Sequence, residues 1–157
     1  MVTLTPLTSD YSEQVAKLEV HDDQLPYVGT INEILAVVNN DVHPHLILSG
    51  GEVVGFFLID TTYWCNYSFC DGESLGLRAF FIDKRAQGRG LGKAAVKSLA
   101  QYLSRQYSGF EKIYLTVNCK NPAAYSAYLK AGFNDTEELY RGGPAGPQHI
   151  MLLGLSA

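Results

Sequence analysis

The residues of this chain best suited to chemistry are Gln87-Gly88-Arg89-Gly90-Leu91-Gly92-Lys93, a glycine-dense turn between an apolar run and a helical pattern. Gly88, Gly90 and Gly92 let the main chain turn sharply and approach a ligand closely. The first N–H groups of the helix that follows are unpaired and carry the positive end of its dipole, so an anion such as a phosphate belongs there. Two familiar phosphate loops fit poorly. A magnesium-binding P-loop needs four residues between its first glycine and Gly-Lys, then a hydroxyl; here Leu91 completes a gap of only Arg89, Gly90 and Leu91, and Ala94 follows Lys93. The dinucleotide fingerprint needs a glycine where Lys93 stands and an acid about twenty residues on at the end of a second strand. Glu111 instead precedes the next strand. His43 and His45 alternate around Pro44 without a third ligand, and Cys65, Cys70 and Cys119 lack paired metal spacing, so no metal site is predicted.

The elements that must position this turn follow from periodicity. Leu75 to Ile82 reads as a strand with Leu75, Leu77, Ala79 and Phe81 on one side and Phe80 and Ile82 on the other. Leu91, Ala95, Leu99, Tyr102 and Leu103 recur at helical spacing, which predicts a helix over about Gly90 to Tyr107. Ile113 to Asn118 is a further strand. Upstream, Val2 to Leu7 reads as a strand. A helix follows in which Ser9 or Asp10 could cap and Val15 and Leu18 face inward, and a second helix covers Ile31 to Val38. His45 to Leu48 and Val53 to Ile59 form a hairpin around Ser49-Gly50-Gly51-Glu52. Thr61 to Glu73, with Tyr63, Trp64, Tyr67 and Phe69, is compatible with a lid over a substrate site or with core packing. Asp135 to Tyr140 and His149 to Leu153 are the closing strands.

The order Gln87-x-x-Gly90-x-Gly92, then a strand ending near Asn118, then Asn121-x-x-Ala124-x-x-x-Tyr128-x-Lys130-x-Gly132-Phe133 resembles the GNAT superfamily, whose members transfer acetyl from acetyl-CoA to amines. The resemblance covers residues 46–153 firmly and the first forty-five more loosely. The ending from Glu138 to His149 looks like a bacterial branch without a settled substrate, and Gln24 to Val28 and Val54 to Phe57 are weakly similar to the polyamine-acetylating branch. The resemblance implies an α/β (α+β) fold, with a mixed, mostly antiparallel sheet of about six or seven strands, a splayed parallel pair and about four flanking helices. It also implies acetyl-CoA as co-substrate. Phe80, Phe81 and Ile82 would offer main-chain groups to the pantetheine arm. Gly88, Arg89, Gly90, Leu91, Gly92 and Lys93 would present amides to the pyrophosphate, with Gln87 shaping the turn and Asn121 opening the next helix.

By the same resemblance Tyr128 sits near the sulfur and would protonate the departing thiolate, and an N–H near Ile82 would stabilise an oxyanion. Many relatives carry a glutamate within the strand before the loop. This chain has Arg78 there, leaving Glu73 acting through water as the candidate base, with Glu33 and His149 as others. The implied reaction is direct transfer to the primary amine of a small molecule, polyamine-like or amino-acid-like. A protein or peptide acetyltransferase, a non-catalytic acyl-CoA-binding regulator and a nucleotide-binding module are the alternatives. An acidic cleft formed by Glu33, Glu73 and Asp83 would favour a polyamine.

Composition agrees with one domain over residues 1–157, which at this length buries about 68–70% of its unfolded surface. The net charge of −4 argues against a nucleic-acid partner and slightly favours cationic ones. The apolar runs are too short for a bilayer and the start lacks a signal-peptide pattern, so a cytoplasmic protein without a membrane partner is expected. Three cysteines fit a reducing compartment. An open terminal strand would permit a homodimer.

Overall fold

A computed structural model describes residues 2–155; residues 1, 156 and 157 of the expected domain lie outside the described residues. Seven strands form one sheet: β1 (Thr3–Pro6), β2 (Val42–Ser49), β3 (Glu52–Asp60), β4 (Leu75–Ile82), β5 (Lys112–Asn118), β6 (Asn134–Tyr140) and β7 (Gln148–Gly154), ordered β1-β2-β3-β4-β5-β7-β6. Neighbours are antiparallel except β4 and β5. The strand number and the parallel pair match the expected fold class. Six α-helical segments, rather than about four, occur among the described residues: α1 (Ser12–Ala16), α2 (Leu25–Val28), α3 (Ile31–Leu35), α4 (Tyr63–Asn66), α5 (Leu91–Gln106) and α6 (Pro122–Lys130). Only α5 and α6 exceed five residues.

Helix α5 buries the stripe Leu91, Ala95, Val96, Leu99 and Leu103 against Leu75, Leu77, Ile113, Leu115 and Val117 of the parallel pair. Full burial of each large side chain contributes about 1.5–3 kcal/mol, so this layer holds the strands that frame the glycine turn. On the opposite face, α1, the residues just after it and α3 cover β2 and β3 through Val15, Leu18, Ile31 and Ile34. A smaller aromatic cluster of Tyr63, Tyr67, Phe69, Tyr114 and Tyr140 covers β5 and β7. The first helix is shorter than expected: a 3-10 turn at Ser9–Tyr11 precedes α1, and Thr8, not Ser9 or Asp10, occupies the cap position. Helix α3 stops at Leu35, three residues before the expected end, and starts in a capping box between Thr30 and Glu33. Strand β2 begins at Val42, ahead of the expected His45. Pro44 is tolerated there because its missing N–H would point to the β1 side, beyond the last β1 pair Pro6↔His45, the same side on which its carbonyl accepts from Leu7 N–H.

Strand β4 departs from the expected alternation. Leu75 and Leu77 share one side as predicted, the α5 side, but Phe80 and Ile82 are on it too, whereas Ala79 and Phe81 join the opposite cluster. The cause is an extra residue. Between the pairs Leu58↔Arg78 and Phe56↔Phe81, β3 contributes Phe57 alone while β4 contributes Ala79 and Phe80, and Ala79 takes φ +52°. Such a bulge bends its strand and increases local twist. Parallel pairing of β4 with β5 ends at Leu75↔Ile113 and Gly76↔Tyr114, so the strands part before the bulge.

Candidate active site

The turn after β4 is built around a buried acid. Asp83, 4% exposed, accepts hydrogen bonds from Glu19 N–H (2.9 Å), Arg85 N–H (3.2 Å) and the Arg85 guanidinium (2.8 and 3.1 Å). Burial alone would raise its carboxyl; these donors outweigh it and hold the group below its ordinary value. Asp83 is therefore an anchor and not a wall of the substrate cleft. Gln87 is a second tie. Its amide donates to Ile82 O at 2.8 Å and exchanges reciprocal hydrogen bonds of 3.0 and 3.2 Å with Gln24, just ahead of α2.

Helix α5 then begins at Gly90, whose φ of +75° suits glycine and which supplies no side-chain cap. A Cβ at this position would meet nothing within 4 Å, so the space beside the first turn of α5 is open. It forms a cleft of about 350 Å³ lined by every expected cofactor-binding residue except Arg89: Phe80, Phe81 and Ile82 of β4, Gln87 to Lys93 around the turn, and Asn121 at the head of α6. Arg89 instead borders a separate depression with Lys17, Asp83 and Arg85. Its charge does not enter the cleft.

A second cavity of about 450 Å³ lies where β4 and β5 part. The two share Tyr27, Val28, Phe80, Asn121, Ala124 and Tyr128, so they communicate through the gap in the sheet. Main-chain groups of β4 point into that gap. Asp83 N–H donates to Val54 O on β3 at 2.8 Å, so the alternation of the strand turns Ile82 away from β3, and Ile82 O accepts Gln87 on the gap side. Tyr128 packs edge-on against Phe80 (6.1 Å between centroids) and Phe133 (5.5 Å), and its hydroxyl has no hydrogen-bond partner among the described residues. Burial pushes that phenol well above its ordinary value, so it keeps its proton.

The remaining sequence candidates lie elsewhere. Glu73 is exposed in the turn before β4, at the end where β4 and β5 are still paired, and lines neither the cleft nor the second cavity. Closeness in sequence to β4 misleads because the strand carries the chain away from it toward the gap. His149 pairs with Val117 and stacks on Tyr125 at 4.2 Å, with Nδ1 3.9 Å from Asp135, beneath α6. Its neighbour Gln148 faces the second cavity in its place. Glu33 caps α3 and borders an adjoining depression of about 430 Å³. An acidic cleft of Glu33, Glu73 and Asp83, which would have favoured a polyamine, is thus not assembled.

The second cavity contains Thr116, Asn118 and Gln148, which the sequence did not single out, together with Tyr63, Tyr67 and Arg78. The Thr61 to Glu73 segment divides between the second cavity and the aromatic cluster. Tyr63 and Tyr67 line the cavity, while Phe69 packs on Tyr114 and Tyr140. Tyr63 lies directly over Gly76, where a Cβ would stand 2.1 Å from its ring, which is why β4 carries glycine there. Among the described residues no three His, Cys, Asp or Glu side chains converge as metal ligands, and no helix is long and apolar enough to cross a membrane.

Residues 6–133 match the family model described as the Acetyltransferase (GNAT) family. The chain belongs to this family. A spermine/spermidine N(1)-acetyltransferase of Bacillus subtilis is 30% identical to this GNAT chain over 140 residues, 88% of this chain and 91% of that one. Solved structures with the same fold include an aminoglycoside acetyltransferase in complex with coenzyme A (TM-score 0.75, 21% identity, 98% of this chain and 95% of that one). The spermidine N-acetyltransferase from Vibrio cholerae in complex with CoA and spermine superposes with TM-score 0.69 at 17% identity, covering 98% and 95%. For this GNAT chain, an N-acetyltransferase by family, acetyl-CoA is the co-substrate, and the uncapped start of α5 and the open cleft beside it fit a diphosphate-bearing ligand.

Proposed function

We propose that this protein transfers acetyl from acetyl-CoA to the primary amine of a small molecule by direct transfer in a ternary complex. The observation that carries the reading is the junction of two cavities at Phe80, Asn121 and Tyr128. One is lined by the glycine turn, and the other is enclosed by α2, α4 and the β6–β7 turn. Acetyl-CoA supplies the activated acetyl thioester. The amides of Gly88 to Lys93 bind its pyrophosphate, and Phe80 to Ile82 align its arm as an added strand. The Ile82 N–H stabilises negative charge developing on the acetyl oxygen. Tyr128 holds a proton on its phenol oxygen at the junction and passes it to the leaving sulfur. The relatives' names, a spermine/spermidine and an aminoglycoside acetyltransferase, support a small amine as acceptor.

No aspartate, glutamate or histidine is among the residues lining the cleft or the second cavity. An amine of pKa about 10.4 is neutral in roughly one molecule per thousand at pH 7, and its proton therefore leaves through water in the cavity. The rate then follows the neutral fraction of the amine. In a thiol-release assay with acetyl-CoA and a panel of amines, kcat/KM for a responding amine rises about tenfold per pH unit until the amine's own pKa. Calorimetric titration showing affinity for ATP or NAD and none for acetyl-CoA would overturn the assignment.

A further inference from the structure

Arg78 is the only charged side chain among the described residues that line the second cavity. It stands on β4 immediately before the bulge, two positions from Phe80, where the two cavities meet. Its side chain is 38% exposed, and one guanidinium nitrogen, Nη1, donates to Asp60 Oδ2 at 3.1 Å. Asp60 is otherwise occupied. Its Oδ1 accepts from the N–H and the hydroxyl of Thr62 at 2.9 and 3.0 Å, and its side chain is 4% exposed. A guanidinium carries five N–H donors in a planar fork, so Asp60 orients the group and leaves most of the fork free. Around it stand neutral hydrogen-bonding groups: the phenols of Tyr63 and Tyr67, Thr116, Asn118 and Gln148. Burial raises both phenols above their ordinary value, so they act as neutral donors.

We propose that the acceptor carries a carboxylate close to its amine, and that Arg78 binds this carboxylate while the amine reaches Phe80 and Tyr128: the substrate class is an amino acid or another small amino carboxylate. The inference rests on the transferase reading above and narrows it. A fixed guanidinium fork pairs with a carboxylate bidentately, and the surrounding neutral donors can add hydrogen bonds to the same anion. A polyamine would place a second ammonium beside Arg78 with no acidic side chain lining the cavity to offset it. Asp60 is already committed to Arg78 and Thr62, and Glu33 of the adjoining depression is engaged by Thr30 N–H at 2.9 Å.

The test compares matched acceptors on the intact protein: free amino acids, the corresponding amino-acid amides, spermidine, spermine and an aminoglycoside, each with acetyl-CoA in the thiol-release assay. The expected result is turnover of amino acids with kcat/KM about ten- to a hundredfold above their amides, the range of a charge-assisted hydrogen bond. Arg78→Gln removes that preference and raises acceptor KM, while acetyl-CoA affinity is retained. Because Arg78→Gln leaves Asp60 buried and unpaired, the double variant Arg78→Gln with Asp60→Asn is measured beside it, and loss of the preference is expected there too. Equal turnover of acid and amide, or turnover of polyamines by the unaltered protein above that of every amino acid, overturns the inference while leaving the transferase reading intact. Absence of turnover on every amine, with acetyl-CoA still bound, overturns the transferase reading and this inference with it.

Discussion

Replacing Tyr128 by phenylalanine removes a single oxygen from the point where the two cavities join. The ring's edge-on packing against Phe80 and Phe133 is kept, and no hydrogen bond to another described residue is lost. The folded state should therefore change by less than about 0.5 kcal/mol, within the range of substitutions that disturb no packing. Catalysis should change far more. A positioned general acid contributes about 10²–10⁴-fold, and the phenol is fitted to that task because burial holds it protonated throughout the range in which an amine is acetylated. A group whose folded pKa is raised above the unfolded value of about 10 contributes no descending limb to the rate below that pH. The assay is single-turnover and steady-state thiol release, run beside calorimetric titration with acetyl-CoA and a thermal melt. The expected outcome is kcat reduced at least about a hundredfold with acetyl-CoA affinity and melting temperature preserved. A variant that keeps kcat within about threefold, with acetyl-CoA bound as tightly, refutes Tyr128 as the acid and leaves it a packing residue of α6.

Gly76→Ala drives a methyl to 2.1 Å from the ring of Tyr63, itself 3% exposed, so the ring must move. Overpacking of this kind costs about 1–3 kcal/mol, which lowers the melting temperature by about 2–12 °C in a domain of this size. An unchanged melt would show that Tyr63 is not seated there. Gly90→Ala meets open space but places an alanine at φ +75°, about 1–2 kcal/mol of backbone strain that turns the first amides of α5. Calorimetry should show acetyl-CoA affinity falling about five- to thirtyfold; full retention would mean that those amides do not hold the pyrophosphate. His45 is buried between β2 and α5 and bonded to Tyr102 (2.6 Å) and Tyr107 (2.9 Å), and burial, with His43 nearby, lowers it to about 4. Because the folded value lies below the unfolded value of about 6.5, its contribution is complete above pH 6.5 and is lost as pH falls toward 4. That loss is on the order of 2–3 kcal/mol, read as a falling melting temperature. A melt that stays flat between pH 6.5 and 4.5 would refute it.

The half of the candidate site proposed for the cofactor was legible in the sequence because it is built from main-chain amides. The glycine turn, the extent of the strand before it and the stripe of α5 are all encoded locally, whereas the bulge that reverses the facing of β4 after Arg78 is not. The hairpin at Gly50-Gly51 and the Asn121 cap of α6 were legible for the same reason. The acceptor half was not. Its walls come from α2, α4, β5 and the β6–β7 turn, brought together only by the sheet order, and no periodicity announces that Tyr63 will lie over Gly76. His149 and Gln148 show how little separates the two outcomes. Adjacent strand residues face opposite sides, so an error of one position exchanges a packed histidine for a cavity-lining amide.

The bulge at Ala79 connects these observations. An alternating strand would have sent Phe80 and Ile82 to the face opposite Leu75 and Leu77; one extra residue returns them to the α5 side while leaving Arg78 on the side of Asp60. The strand thereby presents a guanidinium to one cavity and aromatic and main-chain groups to the other, within the five positions from Arg78 to Ile82. A non-glycine residue at φ +52° is held there against a cost of about 1–2 kcal/mol, and such strain persists where the surroundings over-determine it. Here those surroundings are the β3 pairing on both flanks of the bulge and the tie from Gln87 to Ile82. The same tie reaches Gln24 and, through it, α2, whose Tyr27 and Val28 line both cavities. The glycine turn and the wall of the second cavity are thus braced by one pair of amides, which gives a physical route by which an occupied cleft would stiffen the cavity proposed for the acceptor.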